Sequence, residues 1–235
     1  SINKFNKDNI PFYVSCPKRE EKLFRDILGT ENYQLIFDED TYDCKKIFDG
    51  WRTQQVVKSN VHRLNICENY YSIDSDQFFI KDFYISDFMC GDTPYTIFND
   101  NKQTQENDKV FFDVDYKNNG YSKAVKAYRD AFGVKGCTKI WDYGPAPYIW
   151  SCKVWKSFED WLKQSGMDFE DFQLYMENKY NIAMREAVTY GEYLFATREI
   201  DIIPTATLFK QYHHKEVYEF EEKNGFTDLE KIKLN

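Results

Sequence analysis

Short apolar segments of extended character alternate along the chain with segments of helical periodicity, and this alternation constrains the fold more than any other feature. Apolar or β-branched runs predict strands over residues 10–15, 33–37, 70–73, 93–98, 147–152 and 200–219. The spacing of apolar residues predicts helices over residues 18–28, 48–69, 121–132 and 154–195, with a stop at Gly133 and a break near Gly166. Such alternation predicts an α/β fold with a mostly parallel sheet flanked by helices.

Length, charge and cysteine content exclude several classes of protein. The 235 residues suffice for one domain with a full core. The formal net charge of −8 argues against a nucleic-acid-binding protein, which normally presents a basic face. No run approaches the roughly 18 apolar residues that a transmembrane segment needs. The six cysteines include no C-x-x-C pair, so we interpret them as reduced thiols and predict a cytoplasmic location.

Two aspartates, Asp74 and Asp76, follow the predicted strand 70–73 and are separated by one serine. Because alternate residues of an extended segment point the same way, both carboxylates can approach one cation. Open α/β sheets bind ligands at the carboxyl ends of their strands, and hard oxygen ligands suit Mg²⁺ or Mn²⁺. Such an ion neutralises a leaving diphosphate when a glycosyl group leaves a nucleotide. The alternative is a solvated acidic loop, but the position between the apolar segments 70–73 and 78–80 favours a site.

Two further blocks carry a resemblance to a known family. The helix predicted before the aspartates contains Trp51, Gln54, Gln55 and Lys58, and a later helical segment contains Glu186, Tyr190, Gly191 and Tyr193. With these blocks the chain, over residues 9–214, resembles a bacterial family of glycosyltransferase-like proteins that gene neighbourhoods link to surface polysaccharide synthesis.

The resemblance implies a fold and a reaction. The fold is the GT-A fold, a single Rossmann-like domain over residues 1–235, with a nucleotide- and metal-binding half over 1–98 and an acceptor-side half over 99–235. The reaction moves a sugar from a nucleoside-diphosphate sugar to a glycan or lipid-linked glycan, with Mn²⁺ or Mg²⁺ as cofactor and inversion as the default outcome. In that fold the segment 10–15 would be the second strand. We therefore expect the first strand to be missing, either because the chain is a fragment or because the base pocket is rebuilt.

The resemblance also implies the ligands of the metal ion. Asp74 and Asp76 would bind it, and His213 or His214 would supply a third protein ligand. Imidazole accepts Mn²⁺ more readily than Mg²⁺. The alternative for the tandem histidines is an exposed position near the end of the chain.

Roles in donor binding and proton transfer follow from the same resemblance. Gln55, Lys58 and Asp74 would bind the donor, Lys58 through a phosphate and Gln55 through a ribose or sugar hydroxyl. Glu186 would deprotonate the acceptor hydroxyl, with Glu192 as the fallback base. The alternatives are an exposed polar helix face for Gln55 and Lys58 and a solvated carboxylate for Glu186.

Other aromatic and histidine residues receive structural interpretations. Trp51 is interpreted as a packing residue and His62 as a structural one. The turn-rich aromatic run 142–151 either lines a sugar site or faces the core, and the sequence does not separate the two.

A second class of function stays open. A binding or scaffold module that keeps the fold without turning over a donor is the alternative to the enzyme, and the expected loss of the first strand supports it. A nucleotidyltransferase is disfavoured, because no Gly-rich phosphate loop occurs among the ten glycines.

Overall fold

The computed structural model describes residues 1–46, 49–75, 77, 79, 81–98, 120–144, 148–205 and 223. The helices in these ranges are α1 (Ile2–Phe5), α2 (Glu21–Leu28), α3 (Asp38–Thr41), α4 (Gly50–Ser59), α5 (Gly120–Ala131), α6 (Cys152–Gln164), α7 (Phe169–Tyr180) and α8 (Glu186–Thr197). The strands are β1 (Tyr13–Cys16), β2 (Gln34–Phe37), β3 (Asn69–Ser72), β4 (Met89–Cys90), β5 (Thr93–Ile97), β6 (Tyr148–Ser151) and β7 (Ile203–Thr205). This mixture confirms the α/β class. None of the described helices is long and apolar enough to cross a membrane.

The described strands pair in three small sheets. Strand β1 pairs with β2, and β5 with β7, in parallel. Strand β3 pairs with β6, and β4 with β5, in antiparallel orientation. The described pairs are therefore evenly divided, whereas the sequence predicted a mostly parallel sheet. The reason is that an apolar run shows that a segment is extended, while the direction of its neighbour depends on the path of the connecting chain.

Local signals in the sequence explain most helix ends. Gly133 has a φ of 71° and follows the end of α5, as predicted. Gly166 has a φ of 69° and separates α6 from α7. Asp168 caps the start of α7, because its side chain accepts a hydrogen bond from the backbone N–H of Asp171. The helix predicted over 48–69 is shorter than expected. It ends at Ser59, and Asn65, with a φ of 52°, turns the chain into β3.

The largest cluster of buried residues lies where α5, α6, α7 and α8 pack together. Its fully buried members include the aromatic side chains Tyr128, Trp155, Phe158, Phe169 and Phe172. Their rings meet mainly edge to face, for example Phe158 against Phe169 at 5.3 Å between centroids. These five aromatic side chains therefore form the centre of the core.

A buried ion pair joins α5 to α8. Glu192 in α8 has no exposed surface, and both of its carboxylate oxygens accept hydrogen bonds from Arg129 in α5, at 2.8 and 2.9 Å. The hydroxyl of Tyr143 donates a third bond to the same carboxylate, at 2.6 Å. Bidentate pairing of this kind compensates the high cost of removing two charges from water.

Tyr143 reaches Glu192 across the backbone of the neighbouring residue, Gly191. A Cβ atom at position 191 would lie 2.0 Å from a ring carbon of Tyr143. Only glycine therefore allows the ring to lie against α8. The neighbouring members of this sequence block also serve the packing. The Tyr190 hydroxyl accepts from the backbone N–H of Ser151 at 2.9 Å, and that of Tyr193 bonds with Ser157 at 3.0 Å.

We expect the substitution Gly191→Ala to destabilise the protein by at least about 2 kcal/mol, because the new methyl group overlaps the Tyr143 ring. Urea unfolding followed by circular dichroism measures the free energy. Gly50→Ala is the matched control, since a Cβ atom there meets nothing within 4 Å. Equal stabilities for the two variants would contradict the close contact.

We expect Arg129→Met to cost about 3–5 kcal/mol of unfolding free energy, because it leaves the Glu192 carboxylate buried without its counterion. The control is Arg25→Met, which removes an exposed pair with Glu21 in α2 and should cost less than about 1 kcal/mol. Chemical unfolding of both variants at neutral pH makes the comparison. A small loss in Arg129→Met would show that water reaches Glu192.

Candidate functional site

The carboxyl end of β3 holds the first of the two predicted metal ligands. Asp74 lies two residues beyond the strand, and its side chain is 36% exposed. Its backbone N–H donates to the amide oxygen of Gln77 at 2.9 Å, which closes a short turn after the strand. Asp76 lies outside the described residues, so its predicted role stays a prediction.

Helix α4 brings a basic side chain to this carboxylate. The helix begins after Asp49, whose side chain accepts from the backbone N–H of Arg52, and it buries Val56 and Val57 against the core. At its other end the Tyr70 hydroxyl of β3 donates to the carbonyl of Lys58 at 2.7 Å. Helix and strand are thereby held together, and the Lys58 ammonium group donates to the Asp74 carboxylate.

Gln55 connects α4 with the beginning of α8. It is 4% exposed, and its amide oxygen accepts a hydrogen bond from the backbone N–H of Glu186 at 3.0 Å. The two sequence blocks singled out above, which lie far apart in the chain, therefore meet in the structure. The exposed polar face considered as an alternative for Gln55 is wrong. Its predicted contact with a donor stays a prediction.

Glu186 is the first residue of α8 and is 7% exposed. Burial raises the pKa of its carboxyl, and the nearby charge of Asp74 raises it further. Its own backbone N–H, Lys58 and Arg185 oppose the shift. None of the basic side chains that the structure describes forms a salt bridge with it. The solvated glutamate considered as an alternative is therefore wrong, and the residue carries a buried carboxyl without a salt-bridge partner in the described part of the chain.

Glu192, proposed above as a fallback base, has a different role. Its carboxylate is fully buried and accepts three hydrogen bonds from Arg129 and Tyr143. A substrate cannot reach this group without breaking the ion pair between α5 and α8. The sequence could not distinguish the two glutamates, because their surroundings come from distant parts of the chain.

Two neighbours of Glu186 had not been assigned functional roles. Tyr148 in β6 is half-buried, and its pKa is raised mainly by burial and further by the charges of Glu186 and Asp74. It therefore faces the same acidic surroundings. Arg185 precedes α8 and lowers the pKa of Glu186. The aromatic run 142–151, interpreted above as either a sugar site or a core segment, contains Tyr148. Trp150 in the same run is 3% exposed and belongs to the core.

Trp51, interpreted from the sequence as a packing residue, is 51% exposed. It lies in the first turn of α4, ahead of the residues that this helix buries. The structural interpretation of His62 agrees with its position, since it is 7% exposed and its Nε2 atom lies 3.1 Å from Glu159.

A small cavity adjoins Tyr148 on the side of the core. Its lining includes Thr96, Tyr143, Tyr148, Ala187 and Tyr190, and its volume of about 10 Å³ leaves room for about one water molecule. The buried hydroxyl of Thr96 has no hydrogen-bond partner among the described residues, and a water there would satisfy it. A sugar does not fit into this space.

The described part of the chain supplies an incomplete set of metal ligands. It contains no group of three or more His, Cys, Asp or Glu side chains that could hold a metal ion. The partly exposed carboxylate of Asp74 has the hard oxygen chemistry that Mg²⁺ or Mn²⁺ prefers. His213 and His214, like Asp76, lie outside the described residues.

Comparisons with known proteins give a family. No curated protein matches the chain. A family model with the description "Family of unknown function (DUF6492)" matches residues 1–228. Since this match spans nearly all of the 235 residues, the chain belongs to the DUF6492 family.

Proposed function

We propose that the protein is a metal-dependent glycosyltransferase that moves a sugar from a nucleoside-diphosphate sugar to a glycan acceptor during surface polysaccharide synthesis in the cytoplasm. One observation carries the proposal. Glu186, a buried carboxyl without a described salt-bridge partner, lies near enough to the Lys58–Asp74 pair at the carboxyl end of β3 for both charges to shift its pKa. We further propose that the α/β arrangement is a GT-A fold in which residues 1–98 hold the donor and residues 99–235 serve the acceptor.

Positive charge near the site suits a diphosphate. The side chain of Lys58 is 15% exposed, so its ammonium group is shielded from solvent where it meets Asp74. Arg185 precedes α8, a helix of 12 residues, so the positive charge of this side chain adds to the positive end of the helix dipole. A bound phosphate would compete with Asp74 for Lys58, because both are anions.

The candidate metal ligands fit a divalent cation in part. Asp74 and Asp76 would hold Mn²⁺ or Mg²⁺, with His213 or His214 as a third ligand. When bound, such an ion would neutralise the charge that develops on the leaving diphosphate. Lys58 would then be released from Asp74 to contact a phosphate oxygen.

Glu186 is suited to remove the proton of the acceptor hydroxyl. A carboxylate whose pKa is raised by burial is a stronger base than an exposed one. Gln55 holds the backbone of Glu186 in place and thereby orients the carboxyl. Attack by the deprotonated hydroxyl on the anomeric carbon, opposite the leaving diphosphate, inverts the configuration.

Two observations favour a second function, a non-catalytic module that binds a glycan. Lys58 already neutralises Asp74, and the described residues contain no complete metal site. Such a module would bind an oligosaccharide whether or not Mn²⁺ is present, and it would bind no nucleotide sugar.

We expect wild-type protein to bind one nucleotide sugar of a small panel in the presence of Mn²⁺ and not in EDTA. Asp74→Asn should weaken this binding at least about tenfold, because it removes a charged metal ligand. The control Asp160→Asn, an exposed residue paired with Lys156, should leave the affinity unchanged. Isothermal titration calorimetry measures both. Binding that is insensitive to EDTA and to Asp74→Asn would exclude the metal site.

We expect Glu186→Gln to lower the transfer rate roughly 10²–10⁴-fold while donor affinity stays the same.

The same change should raise the melting temperature at neutral pH. A carboxyl whose pKa is raised by folding costs stability as the pH rises from its unfolded-state pKa through its folded-state pKa, and the amide removes this cost. The gain should therefore disappear near pH 4, below both pKa values. A residue with only a structural role would instead lose stability on substitution.

A further inference from the structure

Two cysteines from distant parts of the chain are neighbours in the structure. The sulfur atoms of Cys67 and Cys152 lie 3.9 Å apart, and both residues are free thiols. The antiparallel pairing of β3 with β6 brings them together. It places Asn69 opposite Ser151, and the backbone N–H of Cys152 donates to the carbonyl of Glu68 at 2.8 Å. The strand pair therefore holds the two thiols in contact.

The two thiols differ in their access to solvent. Cys152 is the first residue of α6 and is 9% exposed. Cys67 is half-buried and lies in the connection between Asn65 and β3, where its neighbours Ile66 and Glu68 are exposed. A small dissolved reagent therefore meets Cys67 first, with Cys152 directly behind it.

The contact also differentiates the chemistry of the two sulfurs. The hydrogen bond with Cys152 lowers the pKa of Cys67, while the same bond, together with burial, raises the pKa of Cys152. Because the charged form costs less at the more exposed position, Cys67 is the sulfur that loses its proton more readily, and Cys152 can then donate to it. The N-terminus of α6 beside the pair also favours a negative charge there. The accessible sulfur is therefore the more nucleophilic one.

We propose that Cys67 and Cys152 form a redox-active dithiol that a hydroperoxide converts into a reversible intramolecular disulfide. The Cys67 thiolate attacks one oxygen of the peroxide, the O–O bond breaks, the leaving oxygen takes a proton from solvent, and a sulfenic acid and one molecule of water or alcohol result. The Cys152 thiol then attacks the sulfenic sulfur, the S–S bond forms, the S–O bond breaks, and water leaves with the Cys152 proton. Two thiols are oxidised and one peroxide is reduced, and an external dithiol reverses the reaction.

The geometry favours this bond over others that involve the remaining cysteines. The sulfurs are already in contact at 3.9 Å and must approach to about 2.05 Å for the bond to form. Cys90 is exposed, and no sulfur contact involves it in the part of the chain that the structure describes. It therefore serves as the internal comparison.

The disulfide would close one end of the antiparallel pair formed by β3 and β6. It would tie the segment before β3, the strand that leads to Asp74, to the beginning of α6. Oxidation of these two thiols does not depend on the proposed transferase activity.

The test treats the full-length, fully reduced protein with an equimolar amount of hydrogen peroxide and then blocks the remaining thiols. Peptide mass spectrometry without reduction should find the peptides that contain Cys67 and Cys152 linked, and dithiothreitol should separate them. Cys67→Ser and Cys152→Ser should each abolish the link, while Cys90→Ser should leave its yield unchanged. In Cys152→Ser, a dimedone adduct should accumulate at Cys67, because the sulfenic acid has lost its partner.

Several results would overturn the proposal. Oxidation of Cys67 to a sulfinic acid without any link, or faster reaction of Cys90 than of Cys67, would show that the contact has no redox role. A link between Cys67 and another cysteine would show that the pair is not preorganised. The wild-type result decides the question even if a serine variant does not fold, because the linked peptide is read directly.

Discussion

The ion pair between Arg129 and Glu192 determines the position of α8, on which the candidate site depends. A carboxylate with no exposed surface is tolerable only when its charge is compensated on the spot, and Arg129 and Tyr143 provide three hydrogen bonds for this. The contact of Tyr143 in turn requires Gly191. These constraints leave the helix little freedom to shift or rotate. Its first turn, with Glu186, is therefore presented to β3 in a defined orientation.

Helix α8 thus carries two buried glutamates, one whose charge is compensated by an ion pair and one without a salt bridge among the described residues. Glu192 is compensated and contributes to the packing of α5 against α8. Glu186 forms no salt bridge with the described basic side chains, and its raised pKa records the cost of keeping it buried. A cost of this kind that packing does not explain is typical of functional sites. The difference between the two residues is the physical basis for proposing Glu186, and not Glu192, as the residue that would accept a proton.

Strand β3 links the two other features of interest. Its carboxyl end leads to Asp74, which Lys58 contacts, and its amino end follows Cys67, which contacts Cys152. Antiparallel pairing with β6 supports the whole strand and also brings Tyr148 toward the acidic residues. The prediction of a mostly parallel sheet did not include the antiparallel pairing of β3 with β6. The strand is therefore held by a neighbour that no local pattern could identify.

The sequence by itself determined the α/β class, most helices and strands and several of their ends, because these depend on local periodicity and on residues such as Gly133 and Gly166. It also singled out Gln55 and Glu186, although it could not show that they touch. The tertiary structure alone decided which glutamate is compensated, which cysteines meet and which strands run antiparallel. Each of these outcomes is a contact between residues far apart in the chain, and the free energy of such a contact depends on burial and on partners that the local sequence does not specify.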